Sequence, residues 1–308
     1  RKNKLALDWS AYTPTAPLHP GITVLNDFPL EEIRKFIDWT PFFSAWQLTG
    51  KFPAILEDEI IGKAATDVYN DAQKMMDQII NEKWLQANGI IGLWPANSVE
   101  DDLIEVYSDE SRTDVLTTLI CRIQQQHNAA GRPNISLADF IAPKDTGVPD
   151  YIGGFAVTGG MNIDEKLKEF DDQQDVYNAI LLKAIADRFA EAFAECLHHS
   201  VRTKYWGYAP NEDLTNEELI HEEYQGIRPA PGYPACPVHS EKRKLFDLMN
   251  VTEKTGIVLT ESYAMVPTAA VSGWYFSHPE SKYFGVGEVL PDQIEAWKQF
   301  EYIPQSTY

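Results

Sequence analysis

Apolar residues recur at four-residue steps through 175–204, at Leu181, Ile185, Phe189, Phe193 and Leu197. An α-helix turns once in 3.6 residues, so this spacing gathers them into one stripe. Asp187, Glu191 and Glu195 keep the same step on another face, which is either a solvated row or a row of carboxylates that meets a cation. A second helical pattern runs from Glu57 to about Leu85 and places Ile60, Ile61, Ala64, Val68, Met75, Ile79 and Ile80 on one broad face, with Gly89 ending it. Upstream, DFPLEE (27–32) reads as a helix start, with Asp27 as N-cap, Pro29 in the first turn and acids near the positive end of the dipole. That helix is expected to stop near Trp39, since Thr40 precedes Pro41. A further helix is expected over about 112–128.

Strand patterns are shorter. GIIGLWPAN (89–97) and LIEVY (103–107) flank an acidic turn and predict a strand pair. GIVLTES (256–262), VSGWYFS (271–277) and YFGVGEV (283–289) make the last third β-like, and His278 to Lys282 supply turn chemistry for a hairpin between the latter two. Helices come first and strands late, without a repeating strand–helix alternation. The expectation is therefore α+β: a single large domain with a mainly antiparallel twisted sheet flanked by helices. Residues 1–30, with Pro14, Pro17, Pro20 and Pro29, read as an extended lead-in or linker, leaving 31–308 as the domain.

Composition narrows the partners. An apolar content of 44% supplies a real core, and a net charge of -20 disfavours a nucleic-acid backbone or an anionic membrane. No run approaches the roughly 18 apolar residues of a membrane span, and the start RKNKLALDW is too short for a signal peptide. Cys121, Cys196 and Cys236 are scattered without CxxC spacing, which fits a reducing cytoplasm rather than a disulfide framework or a zinc ribbon. The chain opens on Arg1, which suggests a piece of something longer.

Catalytic motifs are missing. The run from Gly285 to Leu290 lacks the third glycine of a dinucleotide fingerprint, no P-loop or G-x-S-x-G elbow occurs, and HEEY (221–224) lacks the second histidine of a zinc helix. Cys236 with His239 makes only two metal ligands, and His198-His199 fits a favourable helix-end dipole better than a metal site. What stands out instead is GIRPAPGYPAC (226–236). Its three prolines fix φ, Gly226 and Gly232 permit turns, and it carries one cation, Arg228, and one aromatic, Tyr233. Asp38 in FIDWTPFF and Tyr283 in SKYF occupy comparable surroundings. An aspartate and an arginine together could clamp an amino-acid moiety, the carboxylate on its ammonium and the guanidinium forked onto its carboxylate. Asp38 equally fits a helix-terminal hydrogen bond, and Arg228 an internal ion pair.

The segments FIDWTPFFSAWQLTGKFPAIL (36–56), IIGLWPAN (90–97), LADFIAP (137–143), YIGGFAVTGG (151–160), ADRFAEAFAE (186–195), YWGYAPNE (205–212), GIRPAPGYPACP (226–237) and VSGWYFSHPESKYFGVG (271–287) carry a resemblance. In order and spacing they resemble the C-terminal activation domain of cobalamin-dependent methionine synthase, over about residues 8–297. The resemblance implies binding of S-adenosylmethionine and presentation of its methyl group for reductive methylation of cob(II)alamin. The electron would come from flavodoxin or a related flavoprotein, and the partner would be a separate cobalamin-binding domain. Zinc, homocysteine and folate would belong to domains absent from this chain, which alone should not make methionine. A stand-alone reactivation or docking module, acting in trans on a separate corrinoid protein, is the alternative.

Carried over to this sequence, Asp38 would bind the ligand's ammonium and Arg228 its carboxylate. Pro229, Ala230, Gly232 and Tyr233 would bring backbone and ring contacts, Tyr283 and Phe284 would hold the adenosine end, and Glu191 would lie near the sulfonium. No catalytic side chain and no metal ligand is expected, because the sulfonium is already an activated leaving group and positioning is the protein's part. Lys242, Arg243 and Lys244 read either as a basic patch for an acidic flavoprotein or as an ordinary exposed helix turn. The chain departs from the family after DQIEAWK, ending QFEYIPQSTY instead of running on through further helical sequence.

Overall fold

The computed structural model describes residues 2–126, 131–296 and 298. In chain order the elements are β1 (Gly21–Leu25), α1 (Leu30–Arg34), α2 (Thr40–Ser44), α3 (Gly62–Glu82), β2 (Gln86–Val99), β3 (Leu103–Tyr107), β4 (Val115–Ile120) and β5 (Asp150–Met161). There follow α4 (Ile163–Asp172), α5 (Val176–Ser200), α6 (Asn216–Ile220), α7 (Glu241–Met249), α8 (Val251–Thr255), β6 (Val258–Leu259), β7 (Met265–Val266), β8 (Ala270–Tyr275) and α9 (Pro291–Ala296). The main sheet runs β4-β3-β2-β5-β8 and is antiparallel at every pairing, with β1 pairing beside β3 on the same long strand, β2. This is the α+β architecture expected.

Both faces of the sheet are covered, so β2 and β5 are buried along nearly their whole length and read as continuous apolar runs rather than alternating ones. Ile91, Leu93, Phe155, Val157 and Tyr275 face α3 and α5, while Ile90, Trp94, Ile152, Ala156 and Trp274 face α7 and α8. The stripe Leu181, Ile185, Phe189, Phe193 and Leu197 is buried as its spacing predicts.

Several local expectations are corrected. The stretch expected as a helix over 112–128 holds β4; VLTTLI pairs with β3, and residues 127 and 128 lie outside the described residues. Residues 281–290 form no strand, so the expected hairpin is absent and β8 pairs with β5 instead. α1 is capped by Pro29 rather than Asp27 and ends at Arg34, and Pro41 sits in the first turn of the separate α2, where its missing N–H costs nothing. α3 ends at left-handed Lys83, not at Gly89, which lies within β2. Ile60 is 91% exposed, because α3 begins only at Gly62.

The lead-in is tied down before it becomes β1. Trp9 and Tyr12 rest against the His278 ring at 4.9 and 4.6 Å. Trp206 donates through Nε1 to the Thr15 carbonyl at 2.8 Å, and the His19 N–H donates to the Tyr205 carbonyl at 2.9 Å.

Candidate functional site

The stiff loop 226–236 lies along the last residues of β8. Ile227 and Phe276 exchange backbone hydrogen bonds of 3.0 Å, and Trp274 N–H donates to the Pro229 carbonyl at 2.9 Å. This approach depends on Gly273, where a Cβ would sit 2.8 Å from the Pro229 oxygen. Farther on, Gly232 has φ +92°, and its N–H donates to the Cys236 carbonyl at 2.7 Å to close a tight turn. Val286 N–H donates to the Pro234 carbonyl at 2.8 Å, laying the 283–289 segment on the loop, and the Arg228 N–H donates to the Tyr283 hydroxyl at 3.0 Å.

Arg228, Pro229, Ala230, Tyr233, Tyr283, Phe284 and Glu191 line one groove of about 670 Å³. A smaller cleft of about 280 Å³ adjoins it, lined by Asp38, Arg188, Glu191, Glu195, Glu222 and Arg228 among others. Glu191, Glu222 and Arg228 belong to both, so the structure brings the sequence-named residues together around one continuous wall. Gly232 does not line either space; it shapes the turn that carries Tyr233. Tyr233 is 66% exposed and Tyr283 is 40% exposed, so both stand at the rim.

Arg228 is held from behind. Nη2 donates to Glu195 Oε2 at 2.6 Å, while Nη1 donates to the Tyr224 hydroxyl at 2.7 Å and to His198 Nδ1 at 3.1 Å. Burial tends to lower the guanidinium pKa, but Glu195 and the neighbouring tyrosines outweigh that and raise it. His198 is fully buried, stacks on Tyr275 and is pushed well below its ordinary pKa by burial and by Arg202 and Arg228. It is therefore a neutral acceptor, not the charged helix-end residue its position suggested, because α5 continues into a further turn at Val201–Tyr205. Arg202 forks onto Glu212 with two bonds of 2.7 Å and lies 3.9 Å over the Tyr224 ring. In the smaller cleft, Asp38 Oδ1 accepts from Thr40 N–H at 2.9 Å.

Sequence reasoning missed this rear layer and Glu222. Glu195 was visible only as the last member of the acidic stripe, and HEEY was weighed for zinc rather than for Glu222 and Tyr224. The basic triplet is corrected: Lys244 is buried against Glu241 at 2.7 Å, and Lys242 donates to the Tyr263 carbonyl. Cys121, Cys196 and Cys236 are free and buried, and burial pushes all three thiols up. Among the described residues no group of three or more His, Cys, Asp or Glu is placed to hold a metal ion, and no helix is long and apolar enough to cross a membrane.

An antiparallel sheet covered on both faces, with an open cleft of small-molecule size that carries charges of both signs, defines the class: an α+β domain with a charged cleft beside its sheet. Within that class the chain belongs to the family of the vitamin B12-dependent methionine synthase activation domain, which it matches over residues 29–301. It is similar to the crystal structure of the MetH reactivation domain bound to AdoHcy, with a TM-score of 0.94 and 53% identity, covering 97% of this chain and 91% of that one.

Proposed function

We propose that this domain binds S-adenosylmethionine and presents its methyl group for reductive methylation of cob(II)alamin, reactivating a B12-dependent methionine synthase. The observation that carries this reading is the convergence of Asp38 and Arg228 on one cleft. Arg228 has five N–H donors, of which three are committed to Glu195, Tyr224 and His198. Nε–H and one Nη2–H are left for a carboxylate. Asp38 commits one oxygen to Thr40 and keeps the other for an ammonium. Both bland alternatives, a helix-terminal bond and an internal ion pair, are therefore present and compatible with the clamp.

Glu191 and Glu222 suit a sulfonium, Tyr233 flanks the methyl-donor end, and Tyr283 and Phe284 offer rings and edges for the adenosine. The AdoHcy carried by the similar structure is the sulfide that remains when S-adenosylmethionine gives up its methyl. When bound, the ligand supplies an activated methyl on a sulfonium leaving group, while this chain's residues bind and orient it. Cobalamin would be held by a separate domain docking over the open rim, with flavodoxin or a related flavoprotein as electron donor, in the cytoplasm. Zinc would belong to another domain.

Calorimetric titration of S-adenosylmethionine tests the site. The intact chain should bind one equivalent, and Asp38→Ala and Arg228→Ala should each weaken binding by about 30-fold or more. Absence of binding by the intact chain would overturn the reading.

A further inference from the structure

We propose that Glu195 is a positioning residue for the ligand's carboxylate, acting through Arg228; this rests on reading the cleft as an S-adenosylmethionine site. Glu195 lies on α5, whose side chains pack into the sheet, whereas Arg228 lies on a loop. The 2.6 Å bond between them carries the rigidity of the helix to the guanidinium. Both charges are sheltered, with the Glu195 side chain 9% exposed and that of Arg228 19%. Their attraction is therefore screened less than that of a surface pair.

Glu195 is also free for this task. The nearby Arg202 is already neutralised by its fork onto Glu212, and its Nη1 stands 4.0 Å from Glu195 Oε1, neither atom having a hydrogen bond. What Glu195 prevents is equally informative. Without Glu195 the guanidinium would be held through Nη1 alone, by Tyr224 and His198, and Nη2 would lose its anchor. It would carry its free Nε–H and Nη2–H away from the place of the ligand's carboxylate. Glu195 thus keeps the free donors of Arg228 aimed at the carboxylate's place.

The test compares S-adenosylmethionine with its decarboxylated analogue, which keeps the ammonium and sulfonium but lacks the group Arg228 would hold. Titrations use the intact chain, Glu195→Gln, Glu195→Ala, Arg228→Ala and the Glu195→Ala/Arg228→Ala double variant, with thermal melts alongside. Glu195→Ala should weaken S-adenosylmethionine about 10-fold or more and change the analogue by less than about 2-fold. Glu195→Gln, whose amide oxygen can still accept from Nη2, should recover part of the loss. In the Arg228→Ala background, Glu195→Ala should add nothing. Equal weakening of both ligands, additivity with Arg228→Ala, unchanged affinity or tighter binding would each overturn the role. Failure of the intact chain to bind S-adenosylmethionine would instead defeat the reading of the cleft itself.

Discussion

His198 has to stay neutral for Arg228 to keep its place, since a protonated ring would face a guanidinium with a donor where it now offers an acceptor. Burial and two arginines depress its pKa well below the ordinary 6.5. The unfolded chain therefore takes up a proton on this residue before the folded chain does. Its contribution to stability is complete above about pH 6.5 and is lost as pH falls, by at most ~1.4 kcal/mol per unit. Urea midpoints measured from pH 7 to pH 5.5 should decline in the native sequence and decline less in His198→Gln; parallel slopes would refute the assignment. At this scale the sequence exposed most of the residues that line the cleft and concealed Glu222 and the partners of Arg228. Asp38 and Arg228 stood out as charges among prolines and aromatics, a local signal. Glu195 is 33 positions from Arg228, and no local pattern joins them.

Among the elements, the contact between loop 226–236 and β8 is the one on which the cleft depends most directly. Gly273→Ala would bring a Cβ to 2.8 Å from the Pro229 oxygen and 3.0 Å from a Phe155 ring carbon, so the loop must lift or the strand must shift. We expect a loss of about 1–3 kcal/mol in stability, read in denaturant melts. Ligand affinity should fall as well, because Arg228 adjoins Pro229. A variant with native stability and native affinity would show that the loop does not need this close approach. Elements with sustained periodicity were legible: α5 and most of α3 follow from four-residue steps. β4 was not, because VLTTLI is short and its exposure changes along its length rather than from side to side. The 283–289 stretch has strand-like residues, but its backbone bonds go to loop 226–236 and to Gln124 instead of to a neighbouring strand.

For the whole molecule, ligand binding should appear as stability. S-adenosylmethionine at 100 times its dissociation constant adds ~2.7 kcal/mol if only the folded state binds it. The melting temperature should rise with ligand in the native sequence and rise much less in Arg228→Ala; a rise of equal size in both would place the ligand elsewhere. The fold class was readable because helix and strand patterns segregate along the chain, whereas the pairing order was not, since β2 meets β5 across a separation of more than fifty residues. The tied-down lead-in has a mechanical consequence. A pull on its leading end meets the bonds of Asn3 and Leu5 to Asn134 and the Lys4–Asp101 pair first, then the rings of Trp9 and Tyr12 and single hydrogen bonds near Trp206, and only then the β1–β2 ladder. Side-chain contacts and isolated bonds yield before a continuous ladder does. Residues 9–19 span at most roughly 36–40 Å at full extension, so the lead-in can peel away over part of that length while the sheet and the cleft stay intact.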